Sequence, residues 1–322
     1  MTSTLRPPVK WHGGKHYLAR RICELFPAHH TYVEPFGGAA SVLLNKEPVS
    51  VEIYNDLDER ITRLFRVLRE EGEELRRRLT LTPYSEIEFE DAEDPCDDDI
   101  ERARRDYVRW RLSHGGRGTH FSFTRHRSRR GMADVVSGFL SSIDDELPRI
   151  VERLRTVQIL HRPALDVIRN WDSADTLFYC DPPYLPETRA SGSREVYGVE
   201  MSEQEHRDLA AVLCACQGKV VLSGYPSALY DVLYRGWRTV SFDLPNNAAG
   251  AAVKARESER LWLNWQQTSP AAFARFDDTA RDFHDTTVRP RRFIARGHLQ
   301  PSQDDKRPGS QSQGDRATTS LG

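Results

Sequence analysis

The segment Thr31-Tyr32-Val33-Glu34-Pro35-Phe36-Gly37-Gly38 is a short apolar run halted by a proline and then two glycines. Four apolar-rich residues are too few for a helix, so the run reads as a buried strand that ends in a tight turn. Its neighbours extend the pattern. Before it, the glycine turn Trp11-His12-Gly13-Gly14-Lys15 leads into Leu18, Ile22, Leu25 and Phe26 at helical spacing, stopped by Pro27. After it, Ala39 to Asn45 reads as a short helix and Val49 to Tyr54 as a second strand. Leu57, Ile61, Leu64, Phe65 and Leu68 then form one face of a further helix. A β-turn-α-β-α succession of this kind implies a mainly parallel sheet with helices packed on it.

From about Gly72 to Ile150 that rhythm is lost. The stretch is highly charged, with helical fragments around a Gly/Arg/His-rich middle. It returns with a strand at Val157–Leu160, a helix at Ala164–Trp171 and a strand at Leu177–Cys180. Ser202-Glu203-Gln204-Glu205 is a capping box opening a helix to about Cys216. Lys219 to Ser223 reads as a strand and Tyr230 to Leu233 as a short helix. Trp237–Phe242 and Leu261–Trp265 read as a closing antiparallel pair. The expected organisation is one discontinuous α/β domain (1–70 and 151–268) interrupted by a basic module (71–150). Residues 269–322 are too polar to pack and are expected to be disordered.

The formal charge of −2 over 322 residues hides a strong segregation. Ten acidic residues and no lysine or arginine lie between Glu86 and Glu101, whereas Arg102 to Arg130 holds ten arginines against one acid, Asp106. Such asymmetry suggests either a local anion-binding surface or an acidic loop beside a salt-bridged helix. The five cysteines lack metal-ligand spacing, and Cys180 and Cys214 read as small core residues. No signal core or membrane-length apolar run is present, so a soluble, cytoplasmic protein without a metal is expected.

Two motifs carry chemistry. Asp181-Pro182-Pro183-Tyr184 follows a strand, and its prolines fix the direction of the carbonyls. A carboxylate, an aimed carbonyl and a phenol ring within four residues suit a planar amino group such as that of adenine. The Gly37-Gly38 turn lets a ligand approach the backbone, and Asp56, at the end of the next strand, is placed to accept from ribose hydroxyls. The alternative for Asp56 is a helix cap. Neither G-x-G-x-x-G nor a phosphate loop is present, which favours a nucleoside ligand lacking a pyrophosphate.

Trp-x-Gly-Gly-Lys at 11–15, Glu-Pro-Phe-Gly-Gly with Asp56, and Asp-Pro-Pro-Tyr at 181–184 occur in this order around a basic insertion. In this the chain resembles the Dam-type (alpha group) DNA adenine-N6 methyltransferases over roughly residues 8–70 and 155–266. The resemblance implies a Rossmann-like methyltransferase sheet, mostly parallel with an antiparallel closing strand, carrying an inserted, mainly helical target-recognition domain. It implies S-adenosylmethionine as methyl donor and double-stranded DNA as partner. Trp11, Lys15, Glu34, Phe36, Gly37, Asp56 and Asp181 occupy cofactor-contacting or pocket positions, and Asp181, Pro182 and Tyr184 the catalytic ones. Arg117, Arg125, Arg127, Arg129 and Arg130, in a Gly/Ser/His-containing stretch, are the candidate DNA contacts. Arg102, Arg104, Arg105, Arg109 and Arg111 read as helical and partly paired with acids.

The stretch Ser113-His114-Gly115-Gly116-Arg117-Gly118-Thr119-His120-Phe121 departs from the aromatic- and Asn-rich one of the GATC-methylating member, so no target sequence is transferred. A monomer is expected, and a cognate restriction endonuclease is an open partner. Cytosine-N4 or RNA-adenine methylation, protein glutamine methylation, and a catalytically silent DNA-binding relative are the rival readings. Asp at position 181, where cytosine-N4 enzymes more often have Ser and glutamine enzymes Asn, favours adenine.

Overall fold

In a computed structural model of the protein, the structure describes residues 4–11, 13–126, 131–185, 200–245 and 256–266. Five parallel strands form most of a seven-stranded sheet: β1 (Thr31–Glu34), β2 (Val51–Asn55), β3 (Val157–Leu160), β4 (Thr176–Cys180) and β5 (Lys219–Gly224). β6 (Arg238–Pro245) and β7 (Arg256–Leu263) close it, in the order β3-β2-β1-β4-β5-β7-β6. β7 runs antiparallel to both its neighbours, β5 and β6. This is the expected mostly parallel α/β sheet, and the expected closing pair is present. Winding from β1 proceeds outward in both directions, to β2 and β3 on one side and to β4 and β5 on the other. The crevice between β1 and β4 is therefore the topological switch point, where ligands bind in open parallel sheets.

Both faces of the sheet are buried, so the strands are apolar on both sides rather than alternating with polar residues. Tyr32, Tyr54, Leu177, Tyr179 and Leu261 face one core; Val33, Ile53, Phe178, Cys180 and Leu222 face the other. The second core is covered by α8 (Ala164–Trp171), α9 (Glu203–Ala215) and α10 (Ala228–Leu233). The first is covered by α1 (Ala19–Cys23), α2 (Glu59–Glu70) and the helical stretch that follows: α3 (Gly72–Thr80), α4 (Glu86–Asp91), α5 (Asp99–Leu112), α6 (Asp134–Ser141) and α7 (Leu147–Leu154). A π-helical turn, Ser142–Glu146, joins the last two. Truncating a fully buried residue such as Leu177 to alanine costs about 2–5 kcal/mol.

Caps set several boundaries. Asp58 accepts from the Arg60 N–H at the start of α2, and Ser202 and Glu205 form the expected capping box on α9. Two expectations need correction. Ala39 to Asn45 is a run of turns rather than a helix, because Ala40 has φ +57° and the chain must fold back under the Gly37-Gly38 turn. Leu44 and Lys46 still make helix-type bonds to the Ala40 and Val42 carbonyls. Cys180 is buried as expected, but Cys214 lies on the outer side of α9 and is exposed. The expected disordered tail, 269–322, lies outside the described residues.

Candidate active site

The carboxyl ends of β1, β2 and β4 open into a cavity of about 320 Å³ at the switch point. Trp11, Lys15, Glu34, Phe36, Gly37, Asp56, Asp181 and Pro182 all line it, so residues 170 positions apart in the chain share one wall. Leu57, Pro163, Ala164 and Leu165 supply apolar surface on the β2–α8 side.

The glycine turn is built by close packing. A Cβ on Gly37 would lie 2.1 Å from the Tyr54 ring, and one on Gly38 2.6 Å from Trp11 Nε1. Gly38 also has φ +46°, which a side chain would disfavour. Tyr54 donates its hydroxyl to the Gly38 carbonyl at 2.7 Å, and the Gly38 N–H donates to Asp56 Oδ2 at 2.8 Å. The other Asp56 oxygen accepts from the Asp58 N–H at 2.8 Å. Asp56 is thus clamped by two backbone donors while still facing the cavity; burial pushes its carboxyl up, and the backbone donors oppose this. Fully buried Asn55 ties the rim together, donating to the Pro35 and Arg162 carbonyls and accepting from the Arg162 N–H.

At the end of β4, Lys15 Nζ lies 3.0 Å from Asp181 Oδ2 and donates to the Gly13 carbonyl at 2.7 Å. The Tyr184 hydroxyl stands 3.0 Å from Asp181 Oδ1 and 2.7 Å from Glu259 Oε1. Ser223 on β5 donates to the same Glu259 oxygen at 2.6 Å. Tyr184 does not line the cavity. Its ring is 5 % exposed, with Lys15 Nζ 4.8 Å from its centroid and Tyr225 packed edge-on at 4.6 Å. Glu34, also buried, accepts from the Tyr32 hydroxyl at 2.8 Å and the Leu43 N–H at 3.0 Å. Burial pushes its carboxyl up to about 8, aided by the nearby Asp181 charge.

The candidate DNA residues lie elsewhere. Ser113 and Phe121 form an antiparallel bridge that closes a loop, and Gly115, Gly116 and Gly118 turn it with φ of +66°, +75° and +72°. Arg117 on this loop and Arg125 beyond it are exposed, and among the described residues neither has an ion pair. Arg127, Arg129 and Arg130 lie outside the described residues. The loop borders the turn that carries Trp11: Trp11 and Trp110 rings are 5.6 Å apart, and Lys10 Nζ donates to the Arg111 carbonyl at 3.2 Å. Four of the five helical arginines are engaged internally, Arg111 through the Gly138 carbonyl. Arg104 bonds Glu88 and Glu101, Arg105 bonds Glu101, and Arg109 bonds Glu93 and the Gly118 carbonyl.

Glu259, Ser223 and Asn55 are the site residues that motif reading missed. Glu259 had a signal: with Leu261 and Leu263 it shares one face at strand spacing, so a carboxylate there points toward the core. Asn55 had only its place at the end of a strand.

No helix among the described residues is long and apolar enough to cross a membrane. A family model for D12 class N6 adenine-specific DNA methyltransferase matches residues 11–244, a span that takes in the glycine turn, Asp56, the helical stretch and Asp181–Tyr184. The match covers most of the chain and agrees with the sheet order and with the carboxylate at the switch point. The chain belongs to the D12 class of N6 adenine-specific DNA methyltransferases and is an adenine-specific DNA methyltransferase.

Proposed function

We infer that the switch-point cavity binds S-adenosylmethionine, and that Asp181 presents the N6 amino group of an adenine flipped out of double-stranded DNA. The observation that carries this reading is the single wall shared by Asp56, Gly37, Asp181 and Pro182. The donor set fits the group. Asp56, Asp58 and Asp181 outnumber Lys15 along the inner wall, which suits a ligand bearing a sulfonium charge, and Phe36, Leu57 and Leu165 suit a purine face. When bound, S-adenosylmethionine supplies a methyl group activated by its sulfonium.

The protein's own part is alignment and charge stabilisation. Asp56 keeps lone pairs for ribose hydroxyls while its backbone bonds hold it still. Asp181 and the Pro182 carbonyl accept from the two amino hydrogens, favouring a tetrahedral nitrogen and stabilising the positive charge that develops on it. Proton loss to Asp181 follows attack. The target nitrogen is unreachable in a stacked duplex, hence the flipped base. Tyr184 is the stacking ring in this reading, and that sets a demand: Tyr225, packed against it, must move as the base enters. The helical stretch 71–150 acts as the target-recognition domain, with Arg117, Arg125, Arg127, Arg129 and Arg130 on phosphates or guanine edges.

Calorimetric titration with S-adenosylmethionine tests the assignment. Asp56→Ala is expected to weaken binding at least about tenfold while the circular-dichroism melt stays cooperative. Unchanged affinity would contradict the placement.

A further inference from the structure

The cluster behind Asp181 is one hydrogen short. Three close oxygen pairs meet there: Tyr184 with Asp181 at 3.0 Å, Tyr184 with Glu259 at 2.7 Å, and Ser223 with Glu259 at 2.6 Å. Each needs a hydrogen between its oxygens, and the two hydroxyls bring only two. The third must sit on a carboxyl. Asp181 is 19 % exposed and has the Lys15 ammonium at 3.0 Å, whereas Glu259 is 5 % exposed and 3.9 Å from the same ammonium. The charge is better supported on Asp181, so the hydrogen belongs to Glu259.

We propose that Glu259 is a protonated positioning residue: it donates to the Tyr184 oxygen, which turns the Tyr184 hydrogen toward Asp181 and holds that carboxylate ionised and aimed at the target amino group. Every oxygen pair is then satisfied. Lys15 and Tyr184 hold one Asp181 oxygen each, and both oxygens keep lone pairs for the substrate. Burial, together with the Asp181 charge, pushes the Glu259 carboxyl up, with Lys15 opposing.

The groups facing Glu259 come from every side of the cluster: Lys15 from the N-terminal turn, Asp181 and Tyr184 from the end of β4, Tyr179 within β4, and Ser223 from β5. Arg260, next along β7, bonds Asp231 instead. Because the pKa of Glu259 is raised, the arrangement holds below that value and is lost as pH rises through it. Ionised Glu259 would take the Tyr184 hydrogen from Asp181 and draw on Lys15, so turnover declines on the alkaline side.

The test is the pH profile of kcat on DNA for the intact protein and its variants. The inference rests on Asp181 as the amino acceptor, so Asp181→Ala is run alongside; an active Asp181→Ala enzyme removes that reading and this one together. With Asp181→Ala inactive, Glu259→Ala is expected to lower kcat at least about tenfold with KM for DNA nearly unchanged. Glu259→Gln, whose amide can donate to both Tyr184 and Ser223, should recover kcat to within about threefold and lose the alkaline decline. A Glu259→Gln enzyme as impaired as Glu259→Ala, or one with the decline intact, overturns the proposal.

Should the Glu259 variants fail to fold, the Glu34→Gln protein gives an independent measurement at about pH 7.5, where ordinary carboxylates are ionised. Its infrared spectrum should retain a protonated-carboxyl stretch that vanishes on alkaline titration. Absence of that stretch also overturns the proposal.

Discussion

The arginines of α5 and those of the loop that follows it are neighbours in sequence, yet they meet opposite surroundings. Arg104, Arg105 and Arg109 are drawn into bonds with Glu88 and Glu93, which precede the helix, and with Glu101 in its first turn. Arg117 and Arg125 stand in solvent. Much of the apparent charge segregation therefore cancels within the fold, while Arg117 and Arg125 stay exposed to an outside anion. Arg109 links the two groups, since its guanidinium also holds the Gly118 carbonyl and thereby fixes one side of the loop. A count of arginines measures a DNA surface poorly; an account of which arginines are already paired measures it better.

The contrast is tested most severely at the far end of the scale, by a charge that is proposed to meet the target base but no phosphate. Asp181→Ala should reduce methyl transfer at least about a thousandfold while leaving the salt dependence of DNA binding as in the parent. A changed salt slope would mean that Asp181 contributes to DNA affinity and that the separation of roles is wrong. Next in size, Arg117→Ala with Arg125→Ala should weaken DNA binding about tenfold and flatten the slope of log K against log salt by about two. Filter binding or fluorescence anisotropy across a salt series gives both numbers, and an unaltered slope breaks the contrast.

Arg104→Ala should do the reverse. It strips a half-buried guanidinium from Glu88, Glu101 and Thr82, so denaturant unfolding should report a loss of about 1–2 kcal/mol with the salt slope unchanged.

A further expectation concerns a buried carboxyl deep in the site. Glu34 has its carboxyl at about 8 in the folded protein, against an ordinary value of 4.5. The folded state holds a proton that the unfolded chain releases, so this contribution to stability is present below the ordinary value and is lost as pH rises to about 8. Glu34→Gln should lessen the fall in unfolding free energy over that window; an identical fall would show that Glu34 ionises normally.

Much of the sheet was legible because its strands are short, apolar and stopped by Pro, Gly or Asp. The strand Val157–Leu160 and the helix Ala164–Trp171 lie where periodicity puts them. Ala39–Asn45 misled because its spacing is helical while its backbone is bent by contacts between Gly37, Gly38, Tyr54 and Trp11 that no local pattern announces. The same division holds at the site. Asp56, Lys15 and Asp181 carry motifs, so they could be named from the chain. Glu259 and Asn55 matter through pairings across 75 and 107 positions, which only the folded sheet brings about.

The most direct test of the central claim is nucleoside analysis of unmodified DNA after incubation with the protein and labelled S-adenosylmethionine. Label is expected in N6-methyladenine alone for the parent enzyme and is expected to be absent for Asp181→Ala. Label in N4-methylcytosine, or equal labelling by the two proteins, would contradict that claim.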